Sequence, residues 1–422
     1  MIRGRARRIW WQPSFGLALS LALAGLAPAH ALSAAPSDPA GSRAPAVEAA
    51  AAVLIDVETG TVLFGKNTRE PRPVASTTKV MTALLALETC TLDDSVLVST
   101  TAAQAPGSSL YLKSGDLMRM DDLVAAVLLK SANDAALVIA EHISGSIPAF
   151  AKRMNERARE LGATDTHFVN PHGLHHREHY SSAYDVALIT REALKHPRFQ
   201  ELVSATSARI LLPSDPAGAR TLRNHNKLLR QADFVDGVKT GFVNQSGHCL
   251  VASGTKRDWQ LIAVVLDSPD MYDEALRLLE YGFASHRRHV YARAGDALGR
   301  ARVRGGSASS VSAVCQNTLV GVTGTGVSSP PELEVTLHNS LQAPVSRGDP
   351  VGEARLIASD TVLARSPLLA GESISHSPFV VATRWGLRTL ILVLVSLLLV
   401  RTCAKALKTH RNRRSRLPSK SG

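Results

Sequence analysis

Residues 73–88 read PVASTTKVMTALLALE. Val80, Met81, Leu84, Leu85 and Leu87 recur at helical spacing, and the Ser/Thr-rich start after Pro73 suits a helix N-terminus. Ser76 and Lys79 then stand at positions i and i+3 of the first turn, where a hydroxyl and an amine share one face without long-range assembly. The flanks of this helix decide the fold. Upstream, Ala51–Asp56 is apolar, Glu58-Thr59-Gly60 is turn-like and residues 61–64 resume the apolar run, which predicts a β-hairpin. Downstream, helical spacing fills 120–143, 147–161 and 183–194, with a break at Ser131-Ala132-Asn133. Strand-like runs follow at 235–243, 248–254 and 260–266, then a helix over 273–283. Strands at both ends with helices between predict an α/β domain, one mixed antiparallel sheet closed by its N- and C-terminal parts. From about residue 290 to 373, short Val-rich runs broken by Gly, Ser and Pro predict a smaller all-β domain.

The net charge of +12 is a property of the two ends. Residues 1–31 carry Arg3, Arg5, Arg7 and Arg8, and residues 401–422 carry eight Lys and Arg, with no acid in either stretch. Removing them from the 48 basic residues leaves 36 between Leu32 and Val400, against 36 Asp and Glu, so the body is formally neutral and nucleic acid is not its partner. The arginines, the apolar run 15–27 and Ala29-His30-Ala31 read as a secretory signal with its cleavage site. At the other end, 378–400 is long enough to cross a bilayer core of ~30 Å, and the basic cluster behind it marks the cytoplasmic flank. Arg384 and Arg388 interrupt the stretch and either snorkel beside Trp385 or set the segment along the interface. Cys90, Cys249, Cys315 and Cys403 include no C-x-x-C pair and read as small apolar filler.

Three motifs occur in order: Ser76-Thr77-Thr78-Lys79, Ser131-Ala132-Asn133 and Lys239-Thr240-Gly241. A serine hydroxyl needs a base to take its proton, and a desolvated lysine near other cations serves. Ser131, in a helix break, is placed to relay a proton, Asn133 to hold an amide, and Lys239 to supply positive potential. The strand N–H just after Gly241, at Phe242, pairs with the Ser76 N–H as oxyanion donors. A side chain at Gly241 would crowd a substrate lying along the strand. Alone, each motif reads as a capping serine, a surface lysine or a hairpin glycine.

Together they resemble the penicillin-recognising serine hydrolases, whose signature is S-x-x-K, S-D-N and K-T-G. The finer resemblance is to the low-molecular-weight penicillin-binding proteins, the D-alanyl-D-alanine carboxypeptidases of peptidase family S11. It rests on PVASTTK (73–79), GSSLYLKSGD (107–116), KSANDA (130–135), NPHGL (170–174), YSSAYD (180–185), GVKTG (237–241) and CLVAS (249–253). It implies an acylated nucleophile at Ser76, a general base at Lys79, a second wall at Ser131 and Asn133, a carboxylate and relay side at Lys239 and Thr240, and an oxyanion hole from the amides of Ser76 and Phe242. The implied reaction removes the terminal D-alanine of a peptidoglycan stem pentapeptide, without a cofactor, and β-lactams would acylate the same serine. The organisation that follows is a signal at 1–31, a linker at 32–48, a catalytic domain at 49–288, a β-rich domain at 289–375, a single-pass anchor at 378–400 and a basic cytoplasmic tail at 401–422, with the body outside the cytoplasm.

Two departures stand out. Met271 occupies a place where many relatives carry arginine, and Phe242 is bulky for a position beside the cleft. Ser-Ala-Asn in place of Ser-Asp-Asn, and no assignable glutamate over a water, speak against a β-lactamase, and the intact motif set speaks against a scaffold without turnover. His172, His175, His176 and His179 crowd one segment, with Glu178 and Asp185 nearby. Asn170-Pro171 and Gly173 make that segment loop-like, so no metal is expected there.

Overall fold

The computed structural model describes residues 44–325, 330–358 and 361–414; the expected export signal and the tail end 415–422 lie outside the described residues. Strands β1 (Ala51–Asp56) and β2 (Val62–Lys66) form the expected hairpin, and a 3-10 turn, Ala75–Thr78, runs into α1 (Lys79–Thr89). Then come β3 (Ser95–Leu97), α2 (Thr100–Ala103), β4 (Leu117–Arg119), α3 (Met120–Ala125), a π-helical turn at Ala126–Lys130, α4 (Asn133–Ser144), α5 (Ile147–Glu160), α6 (Ala183–Ala193) and α7 (Pro197–Ser204). A small hairpin, β5 (Ser207–Leu211) and β6 (Ala219–Arg223), precedes β7 (Val235–Val243), β8 (Gly247–Lys256), β9 (Trp259–Ser268) and α8 (Met271–Ser285).

The central sheet has the order β2-β1-β9-β8-β7, and each of its pairings is antiparallel. Ala51 faces Leu266 and Asp56 faces Leu261, so the two ends of the segment close one sheet, as the sequence predicts. Its inner strands are apolar at nearly every position because both faces are covered. Val53, Ile55, Val251 and Val264 join the large cluster built on the helices α1, α3 and α4. Leu54, Ala52, Ala252 and Ala263 pack instead with Ala275, Leu278 and Leu279 of α8. The middle of the domain is less uniformly helical than expected. β3 with β4 and β5 with β6 are pairs of three to five residues, each strand with a single buried position, too short to show a period.

Helix α8 passes directly into β10 (His286–Ala292). The strands β11 (Ala297–Arg304), β12 (Ser310–Cys315), β13 (Leu319–Gly324), β14 (Glu332–Leu337), β15 (Leu341–Gln342), β16 (Pro350–Ala358) and β17 (Thr361–Ala370) complete the all-β part. Six of them form a sheet in the order β14-β16-β17-β12-β11-β15, and β10 pairs with β13. Val311, Ala313, Val351, Ala354 and Leu368 are the centre of its own core. The described residues end in α9 (Pro378–Arg414), whose apolar stretch lies exposed and whose helix continues past Val400 into the basic tail.

Glu274 of α8 ties the N-terminal segment to this frame. It is buried and accepts from the amides of Glu48 and Ala49 and from the Ser268 hydroxyl. Glu274→Ala strips a charged acceptor from those buried donors, and a loss of about 2–4 kcal/mol is expected, read as a lower urea midpoint at unchanged m-value.

Candidate active site

The nucleophile candidate sits where the backbone is forced. Val74 O accepts from the amide and the hydroxyl of Thr77, closing the 3-10 turn, and Ala75 is buried at φ +46°. Lys79 opens α1 one turn on, so Ser76 and Lys79 meet as their spacing predicts, with Nζ 2.9 Å from Ser76 Oγ. Lys79 is 0% exposed. Its amine donates to Asn133 Oδ1 at 2.7 Å and to His172 O at 2.7 Å. Burial, and then the positive charge of Lys239, hold this amine well below the ordinary lysine range, with Asp134 pulling weakly the other way.

Asn133 is the first residue of α4, and the break before it is real: Ser131 is buried in the left-handed region at φ +61°. The Asn133 side chain is oriented by donating its Nδ2 to Pro106 O at 2.6 Å, which leaves Oδ1 for Lys79. Beside it, Asp134 accepts from the Ser109 hydroxyl and from the amides of Leu110 and Leu112. This carboxylate fixes the stretch 107–116 as a wall of the cleft.

The opposite wall is β7, the last strand of its sheet, so half of its backbone groups point away from β8. A Cβ built on Gly241 would come within 3.0 Å of Ser76 N and 3.1 Å of Val74 O. The glycine thus keeps the Ser76 amide open, a closer contact than the substrate crowding expected of it. Lys239 is buried, donates to Thr240 O at 2.8 Å, and is pushed down by burial to about 7. Thr240 is half-buried next to it. Phe242 pairs across the strands with His248 and its ring stacks there at 4.5 Å. Side chains alternate along a strand, so the ring leaves on the face opposite Gly241 and does not fill the cleft.

The sequence reading assigned no role to the loop behind Lys79. His172 contributes its carbonyl, an atom without a side-chain signature. Gly173 has φ +85°, and a Cβ there would stand 1.8 Å from Ala75 O. His179 accepts from the Val169 amide on Nδ1 and shares a 2.8 Å hydrogen bond with Thr78 Oγ1 through Nε2. Burial drives the imidazoles of both His172 and His179 down to about 3, so they stay neutral. His176 accepts from the Glu178 amide at the exposed end of the same loop. Met271 starts α8 and packs on the apolar cluster beneath the sheet. The NPHGL stretch was the available signal, since a glycine after Asn-Pro marks a tight approach.

A family model described as D-alanyl-D-alanine carboxypeptidase matches residues 38–270, and one described as the C-terminal domain of penicillin-binding protein 5 matches residues 288–376. The chain is 32% identical over 342 residues to D-alanyl-D-alanine carboxypeptidase DacF of Bacillus subtilis, covering 79% of this chain and 87% of the relative. It is 31% identical over 355 residues to DacD of Escherichia coli, 80% and 90% of the two chains. Penicillin-binding protein 5 of Haemophilus influenzae superposes with a TM-score of 0.68 at 29% identity, covering 80% of this chain and all of that one.

Gly173→Ala is expected to displace the Ala75 carbonyl and with it Ser76. Thermal unfolding should show a lower Tm, and the surviving folded fraction should lose most of its reactivity toward an acylating substrate.

Proposed function

We propose that this chain, which belongs to the D-alanyl-D-alanine carboxypeptidase family of cell-wall hydrolases, works through an acyl-enzyme on Ser76. The observation that carries the reading is the coordination of Lys79. A neutral amine has two N–H donors and one lone pair. Asn133 Oδ1 and His172 O are acceptors only, so they take the two N–H groups and leave the lone pair to the Ser76 hydroxyl. Lys79 is thereby set as general base.

In the first step Ser76 Oγ attacks the carbonyl of the penultimate D-alanine and its proton passes to Lys79 Nζ. The carbonyl oxygen takes up the negative charge, held by the amides of Ser76 and Phe242. Collapse breaks the peptide bond, and the proton on Lys79, through Ser131, goes to the departing D-alanine amine. Water then attacks the ester, Lys79 accepts its proton, and Ser76 Oγ leaves with it. Asn133 lines the substrate backbone, and Lys239, with Thr240 next to it on β7, forms the side that meets the terminal carboxylate. A β-lactam opened by the same attack keeps its leaving group tethered, so the ester persists. Asp134, the carboxylate next to Asn133, is taken up by Ser109, Leu110 and Leu112 and is not free to activate a deacylating water, which speaks against a β-lactamase reading.

Expected outcomes follow from the two reacting atoms. Fluorescent penicillin should label the wild type and not Ser76→Ala, and D-alanine release from a diacyl-Lys-D-Ala-D-Ala peptide should disappear with it; labelling of Ser76→Ala would overturn the assignment. Lys79→Arg keeps N–H donors on a long side chain but carries a permanent charge and has no lone pair to accept a proton, and acylation should fall about 10²–10⁴-fold. In the wild type acylation requires neutral Lys79, so its rate should fall as pH drops through the depressed Lys79 pKa and level off above it, a limb lying well below the usual lysine range.

The same proposal places the body outside the cytoplasm on a membrane anchor. Support comes from the apolar helical stretch Pro378–Lys405, of mean hydropathy 2.0, followed on the same helix by basic residues. The full chain should resist extraction by high salt and alkaline carbonate. A chain ending at Ser377 should appear in the soluble fraction with unchanged turnover of the soluble peptide.

A further inference from the structure

The outer face of the β domain is polarised. On β11, Ala301 and Val303 point into the core while Arg300, Arg302 and Arg304 point out. At about 3.3 Å per residue the three guanidinium stems stand about 7 Å apart along one line. Arg300 is occupied by Ser310 and Glu372. Among the described residues, Arg302, Arg304 and the exposed Arg347 of the β15–β16 loop form no ion pair. Their neighbours across the strands are polar and uncharged: Ser310 opposite Arg302, and Gln342 opposite Arg304. The acids on the strands of this sheet are Glu332 and Glu334 on β14 and Glu353, paired to Arg355, on β16; of the acids nearest Arg347, Asp349 accepts from the Ser346 amide and Glu372 pairs with Arg300.

The chain leaves for α9 beside these arginines. The Ser377 amide donates to Gly305 O at 2.8 Å, Ser307 N to Ser375 O at 2.8 Å, and Gly306 bridges His376. Val345 and Ile374 exchange both backbone hydrogen bonds, and the Arg347 amide donates to Ser373 Oγ at 2.9 Å. A Cβ on Gly305 would touch Val380 Cγ2 at 3.8 Å, in the first turn of α9. Arg304 and Arg347 are thus fixed next to the point where the anchor begins, with no free linker between. Between His286 and His376 the fixed positive charges are all arginine and none is lysine. A planar guanidinium fork pairs with phosphate oxygens in a bidentate way that an ammonium does not.

We propose that Arg302, Arg304 and Arg347 form a docking face for the anionic phospholipid headgroups around the anchor, holding the β domain against the membrane in a set orientation. This rests on the anchor reading above. Charge complementarity and the clamped exit favour lipid phosphate over a protein partner, because the face carries no apolar or aromatic anchor and lies within one strand of the helix start. Each arginine near an anionic surface is worth about a fivefold shift in a docking equilibrium.

The test uses the full chain in nanodiscs of phosphatidylcholine alone or with one third phosphatidylglycerol, followed by amide hydrogen exchange. Segments 300–306 and 341–348 should exchange several-fold more slowly only in the phosphatidylglycerol discs, and high salt should abolish the difference. The triple variant Arg302→Gln, Arg304→Gln, Arg347→Gln should lose it while keeping its Tm and its turnover of a soluble peptide. Equal protection in both lipids, an undiminished lipid difference in the variant, or protection by soluble polyglutamate and not by phosphatidylglycerol would each overturn the proposal. A chain that fails to co-elute with the discs overturns the anchor reading and this proposal together. One that co-elutes without lipid dependence overturns this proposal alone.

Discussion

Burying the amine of Lys79 is the constraint on which the rest of the site depends. An ammonium out of water is costly, so the group tends to the neutral form, and a neutral amine in a packed interior still needs partners for two N–H groups. The protein brings them from two distant segments, the start of α4 and the loop after Pro171. Once those acceptors are in place the lone pair has one direction left, and Ser76 lies in it. The geometry of catalysis is thus a consequence of satisfying a buried donor.

That requirement propagates outward. Asn133 presents its oxygen only because Pro106 O takes its amide, and the Pro106 loop keeps its path only because Asp134 collects Ser109, Leu110 and Leu112. The His172 carbonyl reaches Lys79 only if Gly173 passes against Ala75, and the next turn is braced by His179 on Thr78. On the far side Gly241 lets β7 lie within van der Waals reach of the Ser76 amide. The hydrophobic core supplies rigidity: the turn that carries Ser76 lies against β7, the edge strand of the central sheet that carries Lys239.

Much of this was legible because the chemistry is local in sequence. Ser76 and Lys79 are one helical turn apart, the Ser131 break shows as a lapse in apolar period, and β7 to β9 are long apolar runs. The remainder was hidden for physical reasons. A carbonyl such as that of His172 leaves no mark on residue type. Asp134 looks like an ordinary helix-start carboxylate until its three donors from 109–112 are seen. Phe242 looked obstructive because residue size is readable and strand face is not; its pairing with His248 turns the ring away. The extension of α9 beyond Val400 was missed because a basic tail has no apolar period, although lysine and arginine are good helix formers.

The two buried lysines ask for opposite charge states, and this links substrate binding to protons. On the proposed mechanism Lys79 acts only when neutral, whereas Lys239 would hold a carboxylate only when charged. Burial brings Lys239 down to about 7, so its charge is less secure than that of an exposed lysine. A substrate carboxylate beside it favours the protonated form, and binding therefore takes up a proton. The same charge on Lys239 disfavours a second one on Lys79 and keeps the base ready. On the proposed mechanism, a substrate carboxylate that pairs with Lys239 also offsets part of the charge that holds Lys79 down, so binding and the state of the base are linked through one Coulombic interaction.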